Sequence, residues 1–305
     1  MIEEQVSQNE QAKQADLWRY VETHREAIEK SLREFLPLAP AAIATEFNEA
    51  VEYALFSGGK RLRPVLTLLG AELVGGKTDL ILPAAIAGEF VHTSSLIFDD
   101  LPCMDNASER RGKTSLHEKF GEGLAILTAI GFLNAAYALV FVNHEASPER
   151  AIEAHFEIVE CVGAAGMVGG QSVDLALAKG AGAGGLSETE FEAVRNLKTS
   201  ALMRLALRVG AILAGANRTE LAHLSRYAEL LGDAYQLSDD LIDLEEDDAI
   251  FNGGKTLAGQ ENEAARLKLS ATIEDAKRIL TENFAPNEAR NCLLQLTDYL
   301  AERKS

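Results

Sequence analysis

The chain has 305 residues and a mass of 32.9 kDa, which is enough for one large domain or two small ones. It carries 29 Lys and Arg against 47 Asp and Glu, a formal net charge of −18, which argues against binding to duplex nucleic acid or to an anionic membrane surface. A hydrophobic content of 47% and a charged content of 25% are typical of a folded globular protein and exclude a disordered one.

Apolar residues recur at helical spacing along most of the chain. The first such segment covers residues 16–36 and is ended by Pro37 and Pro40. Further helices are predicted over residues 41–56, 64–74, 79–100, 123–143, 149–162, 187–215, 218–246, 262–283 and 287–302. No alternation of period two is long enough for a sheet, and no Pro- or Ser-rich linker divides the chain. The sequence therefore predicts an all-α fold in one domain over residues 1–305, with residues 1–15 as a flexible N-terminal extension.

Residues 123–142 contain no charge and are long enough to cross a bilayer. Because polar residues lie inside the segment and Glu122 and Glu145 flank it in place of Lys or Arg, we predict a buried core helix and no membrane span.

The cysteines and the N-terminal residues indicate in which cellular compartment the protein is expected. Cys103, Cys161 and Cys292 are odd in number and far apart, so neither a disulfide framework nor a zinc site fits them. The N-terminus is acidic and polar, without the basic start and apolar core of a secretory signal. We therefore expect a reducing compartment, the cytoplasm.

Two aspartate clusters lie in apolar helical surroundings, DDLPCMD over 99–105 and DDLID over 239–243. Adjacent carboxylates repel each other and are costly to bury without a counter-charge, and Mg²⁺ favours carboxylates combined with water and phosphate oxygens. The candidate metal ligands are Asp99, Asp100, Asp105, Asp239, Asp240 and Asp243.

Basic residues form local groups in this acidic chain, GGKRLRP over 58–64 and RRGK over 110–113, to which Lys198 and Lys255 add two more cations. Arg and Lys are the usual ligands of phosphate. Carboxylates for a metal combined with cations for phosphate predict an enzyme that assists the departure of a diphosphate.

Together with GGQSVDL (169–175), KTSALM (198–203) and YQLSDDLID (235–243), these motifs resemble those of the trans-isoprenyl diphosphate synthases. The similarity is greatest to the bacterial and plant-plastid farnesyl and geranylgeranyl diphosphate synthases, whose first aspartate motif carries a two-residue insertion, here Pro102 and Cys103. The resemblance implies helices packed around a deep central cavity, usually in a homodimer. It implies that isopentenyl diphosphate is condensed head to tail with dimethylallyl, geranyl or farnesyl diphosphate.

The resemblance also implies roles for individual residues. The aspartates would hold three Mg²⁺ ions against the allylic diphosphate. Isopentenyl diphosphate would be bound by Lys60, Arg63, His92 and Arg111, and the allylic diphosphate by Arg110. The residues around the allylic diphosphate and the developing carbocation would be Lys198, Thr199, Gln236 and Lys255. Supporting roles fall to Arg61, Gln171 and Asp174.

Product length is expected to depend on Ser94 and Ser95, one helical turn before Asp99. In related farnesyl synthases a bulky aromatic residue often occupies the position of Ser94 and closes the cavity, so a serine favours a geranylgeranyl (C20) over a farnesyl (C15) product. The chain departs from the family at Phe98, where histidine is usual, and in residues 128–133, which lack a Gly-Asp pair.

Two other functions compete with a synthase. A class I terpene cyclase also ionises a diphosphate at an aspartate-rich helix, but it normally lacks the isopentenyl site that GGKRLRP represents. A non-catalytic partner subunit would bind and tune another synthase, although such subunits usually lose aspartates. A requirement for isopentenyl diphosphate as co-substrate separates a synthase from a cyclase.

Overall fold

The computed structural model of the protein describes the backbone of residues 2–143, 147–178, 188–251 and 258–302, and the side chains of residues 16–143, 147–176, 200–239, 241–242 and 263–301. In chain order the helices are α1 (Ile2–Glu34), α2 (Thr45–Leu55), α3 (Leu62–Leu73), α4 (Thr78–Asp99), α5 (Leu116–Phe120), α6 (Glu122–Leu139), α7 (Pro148–Val162), α8 (Met167–Ala178), α9 (Glu188–Ala214), α10 (Arg218–Phe251), α11 (Ala258–Asn283) and α12 (Glu288–Glu302). A two-stranded antiparallel hairpin, β1 (Glu109–Arg110) and β2 (Lys113–Thr114), lies between α4 and α5.

The all-α prediction is confirmed, because each segment with helical spacing contains a helix. Helix α1 begins at Ile2 and so includes most of residues 1–15, whose assignment as a flexible N-terminal extension stays a prediction. The apolar spacing of the sequence does not predict the hairpin, α5 or α8. The strands have two residues each and α5 has five, too few for a periodic pattern, while α8 contains two adjacent glycines of low helix propensity.

Helices α3 and α9 approach each other very closely, which two glycines permit. A Cβ at Gly70 of α3 would lie 2.2 Å from the carbonyl oxygen of Leu207, and one at Gly210 of α9 would lie 1.9 Å from that of Thr67. Backbone atoms cannot turn away as a side chain can, so either substitution would push the helices apart. The two glycines thereby fix α3 against α9, which carries Lys198. Helix α3 directly follows residues 58–61, which we call the basic loop.

Helix α4 is buried along most of its length and packs against α3, α6 and α9. A helix that is apolar nearly all round belongs to a core. Its C-terminal end nevertheless carries two carboxylates, Asp99 and Asp100, at the negative end of the helix dipole, where they are electrostatically unfavourable. That end of α4 therefore requires positive charge nearby.

Helices α4 and α6 are each long and apolar enough, by length and composition alone, to cross a membrane, and 78% and 33% of their respective apolar windows lie buried inside the protein. Ala125, Ala129 and Phe132 of α6 are buried, whereas Leu127 and Ile130 are 56% and 50% exposed. The prediction of a buried core helix therefore holds for one face of α6 only.

Candidate active site

A cavity of about 490 Å³ lies beside the C-terminal half of α4. Its polar wall contains Arg63, His92, Asp99 and Gln171. The apolar wall comes from five helices and includes Val91, Phe98, Leu133, Val162, Met167, Leu175 and Leu202. A ligand with a charged head and a hydrocarbon tail matches this division.

A larger groove of about 710 Å³ between α1, α11 and α12 contains none of the predicted site residues. Its cations are already engaged, Lys277 with Asp298 and Arg278 with Asp275. We therefore assign the candidate active site to the smaller cavity beside α4.

The two serines expected to set product length both line this cavity. Ser94 is 2% exposed, and the Ser95 hydroxyl donates to the carbonyl oxygen of His92 at 2.9 Å. A bond to the preceding turn of the same helix satisfies the Ser95 hydroxyl without a distant partner. A larger side chain at Ser94 would take up room in the cavity.

Arg61 is the buried anchor of the basic loop before α3. Its φ of 53° is in the left-handed region that residues other than glycine rarely adopt, and its side chain is 5% exposed. Three donors hold it: Nε to Glu29 Oε1 at 2.8 Å, Nη1 to Glu89 Oε1 at 2.9 Å and Nη2 to the Leu55 carbonyl oxygen at 2.9 Å. These bonds hold Arg61 in place, with Lys60 exposed beside it and Arg63 in the cavity wall, while its supporting role stays a prediction.

Arg111, which follows the first strand of the hairpin, reaches back to the same loop. Its Nη1 donates to the carbonyl oxygen of Gly58 at 2.6 Å, and its Nη2 lies 3.4 Å from His92 Nε2. Gly59 has a φ of 133°, and a Cβ there would lie 2.8 Å from Arg111 Nη1. Glycine at this position therefore allows both the backbone conformation and the close approach of Arg111.

His92 is neutral in this setting. Burial lowers its pKa well below the usual value, and Arg63, Arg111, Arg110 and Arg61 lower it further because each repels the imidazolium form. A guanidinium can only donate, so Nε2 accepts from Arg111 and the proton lies on Nδ1.

Two polar atoms of the cavity residues are buried without a hydrogen-bond partner among the described residues. They are Nε of Arg63, on α3, and Oε1 of Gln171, on α8. Burial lowers the pKa of Arg63, and Glu89 offsets part of that effect, but an arginine stays protonated at neutral pH. Leaving such a donor unsatisfied costs about 1–3 kcal/mol, so the Arg63 site favours an anionic ligand.

The first aspartate motif forms the turn after α4. Asp99 lines the cavity, whereas Asp100 is buried and accepts from Nε of Arg110 at 2.9 Å in an ion pair with the hairpin. The backbone N–H of Asp105 donates to the carbonyl oxygen of Asp99 at 2.9 Å. This bond brings the third aspartate back toward the end of α4.

The second aspartate motif lies on α10, which packs closely on α9. A Cβ at Gly232 would lie 1.9 Å from Ser200 Oγ, so glycine is required for this contact. Tyr235 is close enough to influence the pKa of Arg63, which places this part of α10 near the cavity. Gln236 and Asp239 follow on the same helix, three residues apart and on the same side.

Several predicted residues have side chains outside the described residues. Lys198 and Thr199 belong to α9, and Asp240 and Asp243 to α10, by their backbone positions alone, while Lys255 lies wholly outside the described ranges. Their roles stay predictions.

Three residues near the predicted site are not among those that the sequence motifs predict. Glu89 pairs with Arg61, while Trp18 and Tyr299, from α1 and α12, flank Lys60. Glu89 could have been noticed as an acidic residue within the apolar run of α4. Trp18 and Tyr299 are at opposite ends of the chain and give no such signal.

The sequence profile of the polyprenyl synthetase family matches residues 44–290, which is most of the chain. The chain belongs to the polyprenyl synthetase family. The predicted resemblance to the isoprenyl diphosphate synthases is thereby confirmed, and the protein is an enzyme, a prenyltransferase.

Among curated polyprenyl synthetases, the chain is 38% identical over 270 residues to geranylgeranyl pyrophosphate synthase 11, chloroplastic, of Arabidopsis thaliana, an alignment that covers 88% of this chain and 73% of the relative. It is 37% identical over 232 residues to the heterodimeric geranylgeranyl pyrophosphate synthase large subunit 1 of the same plant, covering 75% of this chain and 62% of the relative.

Solved structures of polyprenyl synthetases share the fold. An FPP/GFPP synthase from Zymomonas mobilis superposes with a TM-score of 0.82 at 30% identity, covering 94% of this chain and 99% of that chain. A putative farnesyl-diphosphate synthase from Marinomonas sp. MED121 gives a TM-score of 0.77 at 30% identity, covering 94% and 99%.

Proposed function

We propose that the protein catalyses the Mg²⁺-dependent, head-to-tail condensation of isopentenyl diphosphate with an allylic diphosphate, with a C20 product favoured over C15. The observation that carries this proposal is the cavity beside α4, in which Arg63, His92 and Asp99 meet an apolar wall. The relatives named as geranylgeranyl pyrophosphate synthases support the same substrate class.

The cations divide into two groups in this proposal. Arg63 and Arg111, with neutral His92, bind the diphosphate of the isopentenyl substrate, and the unsatisfied Nε of Arg63 gains an oxygen partner. Lys60, which is exposed on the basic loop before α3, adds a further positive charge. Arg110 is paired with Asp100 of the first aspartate motif, and we assign it to the allylic diphosphate.

The residues present fit Mg²⁺. Asp99, Asp105 and Asp239 offer hard carboxylate oxygens, and Asp99 lines the cavity at the negative end of α4. Among the described side chains, no three His, Cys, Asp or Glu residues form a metal site by themselves. Mg²⁺ is usually held by one or two carboxylates together with substrate phosphates. When bound, Mg²⁺ neutralises charge that develops on the departing diphosphate.

Loss of the diphosphate leaves an allylic cation in the cavity, and the isopentenyl double bond attacks it. The apolar wall that includes Phe98 and Leu133 excludes water, which would otherwise capture the cation. We assign Lys198, Thr199, Gln236 and Lys255 to the surroundings of the allylic group. A proton is then lost, and we assign the released diphosphate as its acceptor.

The C20 proposal depends on Ser94. This small buried residue lines the cavity one turn before Asp99, and Leu133 of α6 forms part of the opposing apolar wall. Replacing Ser94 with Phe fills the space beside α4, so the product should shift from geranylgeranyl to farnesyl diphosphate. A Ser95→Ala variant serves as a control that adds no bulk. An unchanged product in Ser94→Phe, or a wild-type enzyme that stops at C15, would contradict the assignment.

We also propose a homodimer, supported by four exposed apolar side chains on α6 and α7. They are Leu127, Ile130, Ile152 and Phe156, which are 48–62% exposed. A Phe156→Glu variant should convert a particle of twice 32.9 kDa into one of 32.9 kDa in sedimentation experiments. Leu267→Glu, at an exposed leucine on α11, is the matched control. A monomeric wild type would refute the proposal.

A cytoplasmic location is proposed as well. Cys103, Cys161 and Cys292 are free thiols, which suits a reducing compartment. Cell fractionation or microscopy of the tagged protein tests this assignment.

The decisive experiment is incubation of the pure protein with Mg²⁺, isopentenyl diphosphate and each allylic starter, followed by product analysis. Prenyl diphosphates that require both substrates support a synthase. Consumption of an allylic diphosphate without isopentenyl diphosphate would indicate a cyclase. No turnover until another synthase subunit is added would indicate a partner subunit.

A further inference from the structure

Lys60 is exposed on the basic loop, yet its ammonium group lies against two aromatic side chains. Its Nζ donates to the Tyr299 hydroxyl at 3.1 Å and lies 5.5 Å from the centre of the Tyr299 ring. The Trp18 ring is 6.0 Å away, and the two rings pack edge to face with centres 5.4 Å apart. A cation within about 6 Å of an aromatic face is attracted to it.

Hydrogen bonds connect the helices that carry the two rings to each other and to α3. The backbone N–H of Leu17 donates to Gln295 Oε1 at 2.8 Å in a buried contact that joins α1 to α12. The start of α12 is joined in turn to α3, because Nδ2 of Asn287, the residue directly before α12, donates to the carbonyl oxygen of Glu72 at 3.2 Å. Helix α3 begins directly after the loop that contains Lys60. The aromatic pair and the lysine are thus tied to one framework.

We propose that Trp18 and Tyr299 are positioning residues, which hold the Lys60 ammonium in place to receive the diphosphate of isopentenyl diphosphate. This inference rests on the proposed function, in which Lys60 binds that substrate. A free lysine side chain loses much rotational freedom when it binds an anion. The aromatic pair restricts that freedom before the substrate arrives, so less is lost on binding.

The kinetic test uses Tyr299→Phe, which keeps the ring but removes the hydrogen-bond acceptor, and Tyr299→Leu, which removes both. The KM for isopentenyl diphosphate should rise about threefold in the first variant and about tenfold in the second. The kcat and the KM for the allylic substrate should stay within about twofold of the wild type, because Lys60 contacts neither the allylic group nor the reacting carbons.

A matched control separates positioning from loss of structure. Tyr227→Phe removes a buried hydroxyl that donates to the carbonyl oxygen of Leu293 on α12, so it disturbs the docking of the same helix without touching Lys60. This control should leave the isopentenyl KM unchanged. If it raised that KM as much as Tyr299→Phe does, Tyr299 would act only through the stability of α12, and the inference would be wrong.

A double-mutant cycle keeps the two proposals apart. In a Lys60→Ala background, Tyr299→Phe should cause no further rise in KM, because the group that it positions is gone. If Lys60→Ala leaves the isopentenyl KM unchanged, the proposed role of Lys60 itself fails. If Lys60→Ala raises KM and both Tyr299 variants do not, only the positioning role fails.

Trp18 is the chain's one tryptophan and provides a readout that needs no turnover. Titration with isopentenyl diphosphate alone should change the Trp18 emission, since the diphosphate is brought next to a cation that lies 6.0 Å from the indole ring. The change should be lost in Lys60→Ala. An unchanged emission at saturating substrate would overturn the inference.

Discussion

Removal of the buried carboxylate Glu89 tests how the basic loop is held. Glu89 and Arg61 are 3% and 5% exposed, and they meet at 2.9 Å. Breaking a buried pair from one side costs about 3–5 kcal/mol, because a charge remains without its partner. Since Glu29 still accepts from Arg61 Nε at 2.8 Å, we expect Glu89→Ala to lose about 3 kcal/mol, the lower end of that range. At about 2 °C per kcal/mol for a chain of this size, Tm should fall by roughly 6 °C.

The control for this prediction is Glu29→Ala. The Glu29 side chain is 32% exposed, so its pair with Arg61 is partly screened and should contribute about 1 kcal/mol or less. Urea unfolding of the two variants gives the difference directly. Because Arg61 anchors the loop that carries Lys60 and leads directly into Arg63 of α3, Glu89→Ala should also raise the isopentenyl KM. Equal losses in both variants, or a loss below about 0.5 kcal/mol for Glu89→Ala, would refute the reasoning.

Three further predictions concern the site. Asp99→Ala or Asp239→Ala should lower turnover by at least about 100-fold with an unchanged helical circular dichroism spectrum, and near-normal turnover at saturating Mg²⁺ would exclude these residues as metal ligands. Arg63→Ala should raise the isopentenyl KM by about tenfold or more. A rise confined to the allylic KM would show that the two substrate sites are assigned the wrong way round. Because folding lowers the pKa of His92, while the unfolded chain takes up a proton there below about pH 6.5, the free energy of unfolding should decrease as the pH falls below that value. The decrease should be less steep in His92→Asn, and equal slopes would contradict the lowered pKa.

The helices could be predicted from the sequence because their signal is local. Apolar spacing over ten or more residues identifies α4 and α10, and the motifs at the end of α4 and within α10 identify the aspartates without any knowledge of packing. The hairpin could not be predicted in this way. Its strands are two residues long, and it depends on contacts such as that between Arg110 and Asp100, which no local pattern encodes.

The two faces of α6 show a second limit. Its sequence is apolar all round, so periodicity alone cannot distinguish a face that packs on α4 from one that stays exposed. Phe132 and Leu127 are equally apolar, yet one is 0% and the other 56% exposed. Which apolar side chain is covered depends on where the neighbouring helices lie, and that is a tertiary property.

The arginines around His92 differ in how their charge is balanced. Arg61 and Arg110 are each paired with carboxylates and shape the loop and the hairpin. Arg63 and Arg111 make no ion pair with the carboxylates that the structure describes, and Arg111 lowers the pKa of Arg63 by repulsion. The protein therefore keeps two cations close together, neither of them in an ion pair with a described carboxylate.

A diphosphate supplies the missing counter-charge, so it should stabilise the folded protein more than it would a site of balanced charge. Inorganic pyrophosphate at about 100 times its dissociation constant should raise the unfolding free energy of the wild type by about 2.7 kcal/mol. Arg111→Ala removes one of the two unbalanced cations, so the same pyrophosphate concentration should stabilise this variant much less. Thermal unfolding with and without pyrophosphate measures both effects, and equal stabilisation of the variant and the wild type would show that Arg111 does not bind the anion.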